Sequence, residues 1–256
     1  MQESYWRLLD TGTLSAARNM ALQKVLLEYC AGGTVPNTMH FLQFSPSVLL
    51  GYSQKAEDEV EADYCRENKI EINRRLSGGG CIYMDSGTLG WEITAKKSTP
   101  GIPAALNGMY RKLCGSVVTA LAEFGINAVY RPLNDVEIGG RKISGTGGTE
   151  LDDSFIFHGT ILVDFDTGTM LKALKVPDKK CAEKPNSGQR TVCLKELLGY
   201  APEMDKVKKC LARAFAATLG IKFQKGSLET EEIKCLNREL PFFQSNDWIY
   251  GRRRPG

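Results

Sequence analysis

Apolar positions along the chain follow two periods. Leu22, Val25, Leu26 and Tyr29 recur at i, i+3, i+4 and i+7, the stripe of an amphipathic helix. Ser15 stands ahead of them as an N-cap and Gly32-Gly33 behind them as a stop. Asn19 falls inside this helix, either exposed or turned toward a site. Leu106, Tyr110, Leu113, Val117, Leu121 and Phe124 mark a longer helix over 104–124, ended by Gly125. Val207, Leu211, Phe215 and Leu219 mark another over 204–219, ended by Gly220. Residues 58–68 read as a charged surface helix, 167–174 as a short helix and 228–240 as the last, with Trp248 beyond it.

Between these helices lie the strand signals. Strands are predicted over 6–10, 38–44, 48–52, 70–72, 81–84, 89–94 and 126–130. The Asp85-Ser86-Gly87 turn suggests an antiparallel hairpin between 81–84 and 89–94. Gly139-Gly140 is a two-residue hairpin signal between 136–138 and 141–144. Gly145-Thr146-Gly147-Gly148 separates that hairpin from strands over 154–158 and 160–165. Hairpins with helices set between groups of strands indicate an α+β fold of mixed, mostly antiparallel sheets flanked by helices. Residues 175–190 carry four lysines and two prolines and form a loop long enough to serve as a lid. No internal repeat or interdomain linker is visible, so residues 1–256 read as a single domain.

One stretch fits neither period. In Asn73-Arg74-Arg75-Leu76-Ser77-Gly78-Gly79-Gly80-Cys81-Ile82-Tyr83, three glycines lie between two predicted strands. They have no side chain to block a ligand, they tolerate positive φ, and their N–H groups can turn toward an anion. Arg75 adds a guanidinium fork suited to a carboxylate or phosphate. A flexible turn with surface arginines is the competing reading. The spacing matches neither a Walker loop nor the dinucleotide fingerprint. A strand follows the glycines, so no helix dipole assists the site.

Composition excludes some classes. Hydrophobic residues make up 42% and charged residues 25%, ordinary for a globular protein of 256 residues. A net charge of +3 is too small to argue for nucleic acid, and Arg252-Arg253-Arg254 reads as a solvated tail. The eight cysteines include no Cys-x-x-Cys pair, and with two histidines a zinc site is not expected. The N-terminus has no apolar signal region, and no apolar run reaches membrane-spanning length. A cytoplasmic protein with reduced thiols, bound to neither nucleic acid nor membrane, is expected.

The motif Arg74-Arg75-x-Ser-Gly-Gly-Gly-x-x-Tyr-x-Asp resembles the signature of the lipoate–protein ligase A family. A second block, Asn134-Asp135 followed by Gly140-Arg141-Lys142-Ile143-Ser144-Gly145, and a third, His158-Gly159-Thr160-Ile161-Leu162, fall in that family's order and at similar spacing. The resemblance implies the class II synthetase-like catalytic domain shared by biotin and lipoate ligases. It also implies a reaction: ATP and Mg2+ activate lipoate or octanoate as an acyl-adenylate, and a lysine of a lipoyl domain or glycine-cleavage-H-like carrier then takes the acyl group.

By the same resemblance Lys142 is the catalytic lysine, an ammonium bridging the acid and the α-phosphate; a solvent-facing strand lysine is the alternative. The nucleotide and adenylate would be held by Arg75, Ser77, Gly78, Gly79, Gly80, Cys81, Ile82 and Tyr83. Asn134, Asp135, Ser144, Gly145, Thr146, His158, Thr160 and Lys179 complete the set, the last from Pro177-Asp178-Lys179-Lys180. Asp135 binds magnesium, orients the incoming lysine, or is a lone turn aspartate. His158 lines the acyl tunnel, accepts a proton, or is a hydrogen-bonded core histidine. The tail pocket would draw its walls from residues such as Leu49, Leu50, Trp91 or Ile143.

Two departures from the family pattern stand out. Thr88 follows Gly87 where ligases usually carry asparagine, which affects an expected ligand contact. The chain is also too short for the extra C-terminal domain of many bacterial ligases, and the resemblance makes a separate accessory subunit a candidate partner. The nearest rival is an octanoyltransferase or amidotransferase working through a cysteine thioester. Its nucleophile would lie within Tyr130-Arg131-Pro132-Leu133-Asn134-Asp135, which has no cysteine. Cys81 is a weak substitute, better read as an inert buried thiol. A biotin ligase and a non-catalytic lipoyl-binding protein are the remaining readings.

Overall fold

A computed structural model describes residues 5–175 and 190–251. Among these, eight strands form one mixed sheet. Their order is β11 (Lys222–Lys225), β1 (Tyr5–Leu14), β2 (Thr38–Phe44), β6 (Thr88–Lys96), β10 (Ser154–Leu162), β9 (Arg141–Leu151), β8 (Asp135–Ile138) and β7 (Val129–Arg131). β1 runs parallel to both neighbours, and every other pair is antiparallel. A smaller sheet sets β3 (Ser47–Leu50) between β4 (Glu71–Arg74), parallel, and β5 (Ile82–Met84), antiparallel.

Strand alternation gives the large sheet two distinct faces. Met39 and Phe41 of β2, Trp91 and Ile93 of β6, and Phe155 and Phe157 of β10 share one core with α4 (Leu106–Ala122) and α7 (Met204–Leu219). Trp91 lies 4.9 Å from Phe215 and 5.9 Å from Phe157, centroid to centroid. Each such ring contributes about 1.5–3 kcal/mol by leaving water. The opposite face packs under α1 (Ala16–Ala31) and α8 (Thr230–Phe243), with Leu9, Leu42 and Phe44 in that core. Here His40, Glu92 and His158 stand in register across β2, β6 and β10. Glu92 accepts from Gln23 of α1 and contacts His40 Nδ1 at 3.1 Å, while His40 Nε2 meets Thr11 Oγ1 at 2.8 Å.

The long helices and the Gly139-Gly140 hairpin form where the pattern placed them. Ser15 accepts from Arg18 N as the N-cap of α1. Other expectations are corrected. Strands 81–84 and 89–94 do not pair: β5 joins the small sheet and β6 the large one, so the Asp85–Gly87 turn carries the chain between sheets. The charged helix at 58–68 is two short helices, α2 (Ala56–Glu59) and α3 (Ala62–Glu67). Buried Val60 lies between them in extended conformation and bridges to Leu174. Gly145–Gly148 continue β9 rather than separating strands, and 154–162 is one strand through Gly159. A Cβ at Gly159 would collide with Trp91, so glycine lets the indole fill the core there. Asn19 is fully buried and donates to Gln43 O. Helix α5 (Thr167–Ala173) was expected; α6 (Leu194–Leu198), β11 and α9 (Asn246–Tyr250) were not. The expected lid and the Arg252–Arg254 run fall largely or wholly outside the described residues.

Candidate active site

Between β4 and β5 the chain folds tightly around two buried arginines. Arg74 is 0% exposed. Its guanidinium donates to the carbonyls of Gly51, Tyr52 and Gln54 on one side and of Trp248 and Ile249 on the other, at 2.7–3.2 Å. Arg75 turns inward as well, donating to Leu49 O at 3.1 Å, Gly78 O at 3.0 Å and Gly80 O at 2.9 Å. Burial lowers its pKa to about 10, so it remains a cation at neutral pH. Three of its five N–H donors are thus committed to shaping the glycine loop, and Nε is buried with no partner. A Cβ at Gly51 would collide with Gly79 O, and Gly79 itself has φ +98. Around Gly78 and Gly80 a Cβ would meet nothing within 4 Å, so the loop's backbone is open there.

The loop is tied to the large sheet through Ser77, whose Oγ lies 2.7 Å from His158 Nε2. Burial first, then the Arg75 charge, lowers the His158 pKa to about 4; Glu92 opposes this more weakly. His158 is therefore a neutral imidazole bound to Ser77. Gly147 faces it across β9, where a Cβ would press on the ring at 3.3 Å.

On the other wall, the hairpin of β8 and β9 presents Lys142. Gly139 and Gly140 both take positive φ, +56 and +78, as a two-residue turn with a right-handed strand twist requires. Lys142 Nζ lies 2.6 Å from Asp135 Oδ1 as an ion pair with both side chains partly exposed. The contact is not a directed hydrogen bond, since buried Asp135 Oδ1 accepts none. A Cβ at Gly145 would sit 2.5 Å from Lys142 Cε and Nζ, so glycine leaves room for the ammonium to lie there. Thr146 donates to Asn134 O from N and Oγ1, and Asn134 Nδ2 donates back to Thr146 O. Ser144 Oγ is buried with no partner, and Gly145 N donates weakly to Thr160 Oγ1 at 3.4 Å.

These two walls enclose a cavity of about 420 Å3. Arg75, Gly78, Gly79, Gly80, Cys81, Ile82, Tyr83, Asn134, Lys142, Ser144, Gly145, Thr146, His158 and Thr160 all line it. Two expected residues among those described do not. Ser77 reaches it only through His158, Asp135 stands behind Lys142, and Lys179 lies outside the described residues. Of the proposed tail-pocket residues only Ile143 lines it; Leu49, Leu50 and Trp91 are core. The apolar wall instead comes from Met84, Leu162, Phe165, Met170, Leu171 and Leu174, which sequence reasoning missed. For Met170, Leu171 and Leu174 the short helix expected over 167–174 was the one signal. Tyr83 packs against Phe165 at 5.9 Å between ring centroids, and burial raises its pKa to about 12. Burial likewise holds the Cys81 thiol up at about 12. Thr88 is not in the cavity: its hydroxyl donates to Asp85 Oδ1 at 3.0 Å. Lys175, Arg190 and Glu59 lie at the cavity as well, so among the described residues basic side chains outnumber acidic ones there, which favours an anion.

Residues 15–216 match the family described as the lipoyl protein ligase A/B catalytic domain. The chain belongs to that family. Lipoate-protein ligase A subunit 1 of Thermoplasma acidophilum is 31% identical over 230 residues, 84% of this chain and 85% of that protein. The octanoyltransferase LipM of Kyrpidia tusciae is 26% identical over 270 residues, 96% and 98% of the two chains. Among solved structures, a bipartite lipoate protein ligase from T. acidophilum, studied with its E2 lipoyl domain, superposes with TM-score 0.87 at 26% identity over 99% of both chains. A lipoate-protein ligase A bound with ATP superposes at 0.83 with 25% identity, over 98% of this chain and 100% of that one. The chain is accordingly an enzyme of the lipoate–protein ligase and octanoyltransferase family, with the family's α+β catalytic fold, acting in protein lipoylation. No described helix is long and apolar enough to cross a membrane.

Proposed function

We propose that this chain is an ATP-dependent lipoate–protein ligase, acting on lipoate or octanoate. One observation carries the reading: the cavity presents an ammonium, Lys142, while its one cysteine among the described residues, Cys81, is held as an unreactive thiol. The ATP-bound relative and the T. acidophilum ligase subunit support it.

In this reading the acid's tail packs along Met84, Leu162, Phe165 and Met170, and its carboxylate reaches Lys142 and the unbonded Ser144 hydroxyl. A carboxylate oxygen attacks the α-phosphorus of ATP and the bond to the leaving pyrophosphate breaks. Lys142 offsets the charge of two anions brought together, and the open N–H groups of the glycine loop donate to phosphate oxygens. A neutral amine from a carrier lysine then attacks the acyl carbon, the bond to AMP breaks, and the amine loses a proton. His158 holds Ser77 and the loop; with a pKa of about 4 it is a weak base and is assigned no proton transfer.

No group of three His, Cys, Asp or Glu converges among the described residues. Magnesium would therefore come as an ion carried on the nucleotide phosphates; Asp135, paired with Lys142 and outside the cavity lining, does not fit as its ligand. On the phosphates it would neutralise their charge. The acceptor is a lipoyl domain or glycine-cleavage-H-like carrier, and a separate small subunit, as in the bipartite relative, is a candidate partner.

The LipM relatives favour a second reading, octanoyl transfer from a carrier through a cysteine. Cys114 is also held up, at about 11, by burial. Exchange of labelled pyrophosphate into ATP separates the readings. Lipoate-dependent exchange is the expected result. Octanoyl transfer from a carrier protein without ATP, and no exchange, would establish the transferase instead.

A further inference from the structure

The glycine loop does not stand on β4 and β5 alone. It also rests on the turn at 51–54. Tyr52 N donates to Ser77 O at 2.9 Å, and Gly51 lies so close to Gly79 O that a Cβ would collide there. This turn therefore sets where the loop lies. What holds the turn comes from distant sequence. Arg74 donates to the carbonyls of Gly51, Tyr52 and Gln54 on one side and to those of Trp248 and Ile249 on the other. The latter two belong to the last turn of α9, where carbonyls have no partner inside the helix. A five-residue helix is too short to hold itself together. Trp248 fixes it in place. The indole is 4% exposed, its Nε1 donates to Arg74 O at 3.1 Å, and its ring packs against Phe242, Phe243 and Tyr52 at 5.0–6.3 Å between centroids. Asn73 completes the joint, donating from Nδ2 to Phe243 O and accepting from Arg74 N.

A backbone N–H cannot swing to follow its acceptor as a long side chain can. A loop that binds phosphate through such groups must be held from outside itself, because a small displacement of a donor costs rate or affinity. We propose that Trp248 is a positioning residue for nucleotide binding: through Arg74 and the 51–54 turn it fixes where the N–H groups of Gly78, Gly79 and Gly80 stand. No residue of α9 lines the cavity, so the indole acts on the geometry of the loop and touches no substrate. The proposal deepens the ligase reading and rests on it for the identity of the ligand.

The test compares two variants with the unmodified chain. Trp248→Phe keeps an aromatic ring and removes the Nε1 donor; Trp248→Leu removes both. Lipoate-dependent pyrophosphate exchange gives the KM for ATP and for lipoate, and hydrogen exchange of the Tyr52 amide reads the turn with no ligand present. Trp248→Phe should raise the KM for ATP by roughly threefold or more and Trp248→Leu by roughly tenfold or more, with the KM for lipoate within about twofold in both. In Trp248→Phe the Tyr52 amide should exchange about fivefold faster while amides of α4 keep their rates. A tryptophan that only stabilises the fold would, when replaced, lower the folded fraction, so Tm and apparent kcat fall and both KM values stay; that result overturns the proposal. So does an unchanged Tyr52 amide in Trp248→Phe. Absence of pyrophosphate exchange in the unmodified chain defeats the ligase reading, and the amide measurement then decides by itself whether Trp248 holds the turn.

Discussion

Two cations face the same cavity and are held in opposite ways. Arg75 is buried at 6% exposure, and its guanidinium donates to three carbonyls of its own surroundings. Lys142 keeps a side-chain exposure of 36% and has one carboxylate beside it. The first gives three of its five N–H donors to carbonyls around the glycine loop; the second, beside one carboxylate, keeps N–H groups for a substrate. Positive charge near a site is therefore a poor guide to role until its hydrogen bonds are counted.

Removing each cation separates the roles. Lys142→Ala should lower adenylate formation by about 10²–10³-fold, the effect of losing one preorganised charge donor. Its Tm should stay within about 2 °C, since a partly exposed ion pair contributes little to stability. Thermal melts with pyrophosphate exchange on the same samples check both halves. Arg75→Ala should instead leave the buried Leu49 carbonyl and the part-buried carbonyls of Gly78 and Gly80 without a donor, costing about 2 kcal/mol, or a Tm fall of roughly 4–8 °C. A stable but inactive Arg75→Ala protein would place Arg75 with Lys142 and dissolve the contrast.

Gly145→Ala tests how closely the ammonium is placed. The new methyl would displace a flexible side-chain end, so folding should survive while the rate falls about 10–100-fold. The smallest effect expected is on pH dependence. The folded pKa of His158, about 4, lies below its ordinary 6.5, so the unfolded chain binds the extra proton first. Stability from the neutral imidazole is present above about pH 6.5 and is lost as pH falls toward 4. Denaturant melts of His158→Gln across that window should show a shallower pH slope than the unmodified chain.

Much of this architecture was legible locally. Helix stripes in α4 and α7, and the paired glycines at 139–140, depend on neighbours in sequence, and the structure places them accordingly. The misreadings share a cause. A turn signal such as Asp85-Ser86-Gly87 reports a change of direction, but not which sheet receives the next strand. Helix 58–68 breaks because Val60 is drawn into a bridge with Leu174, more than a hundred residues away. At the site, motif spacing brought fourteen expected residues to one cavity. It could not reveal that Arg75 points at carbonyls, because donor direction is set by tertiary packing. Nor could it find the α5 wall, whose apolar stripe looks like any core-facing helix.

Arg74 ties the turn at 51–54, directly beside the glycine loop, to the carbonyls of Trp248 and Ile249. A ribosome makes those two contacts nearly two hundred residues apart in time. The turn beside the glycine loop therefore cannot gain these contacts on the nascent chain until the helix Asn246–Tyr250 has cleared the exit tunnel.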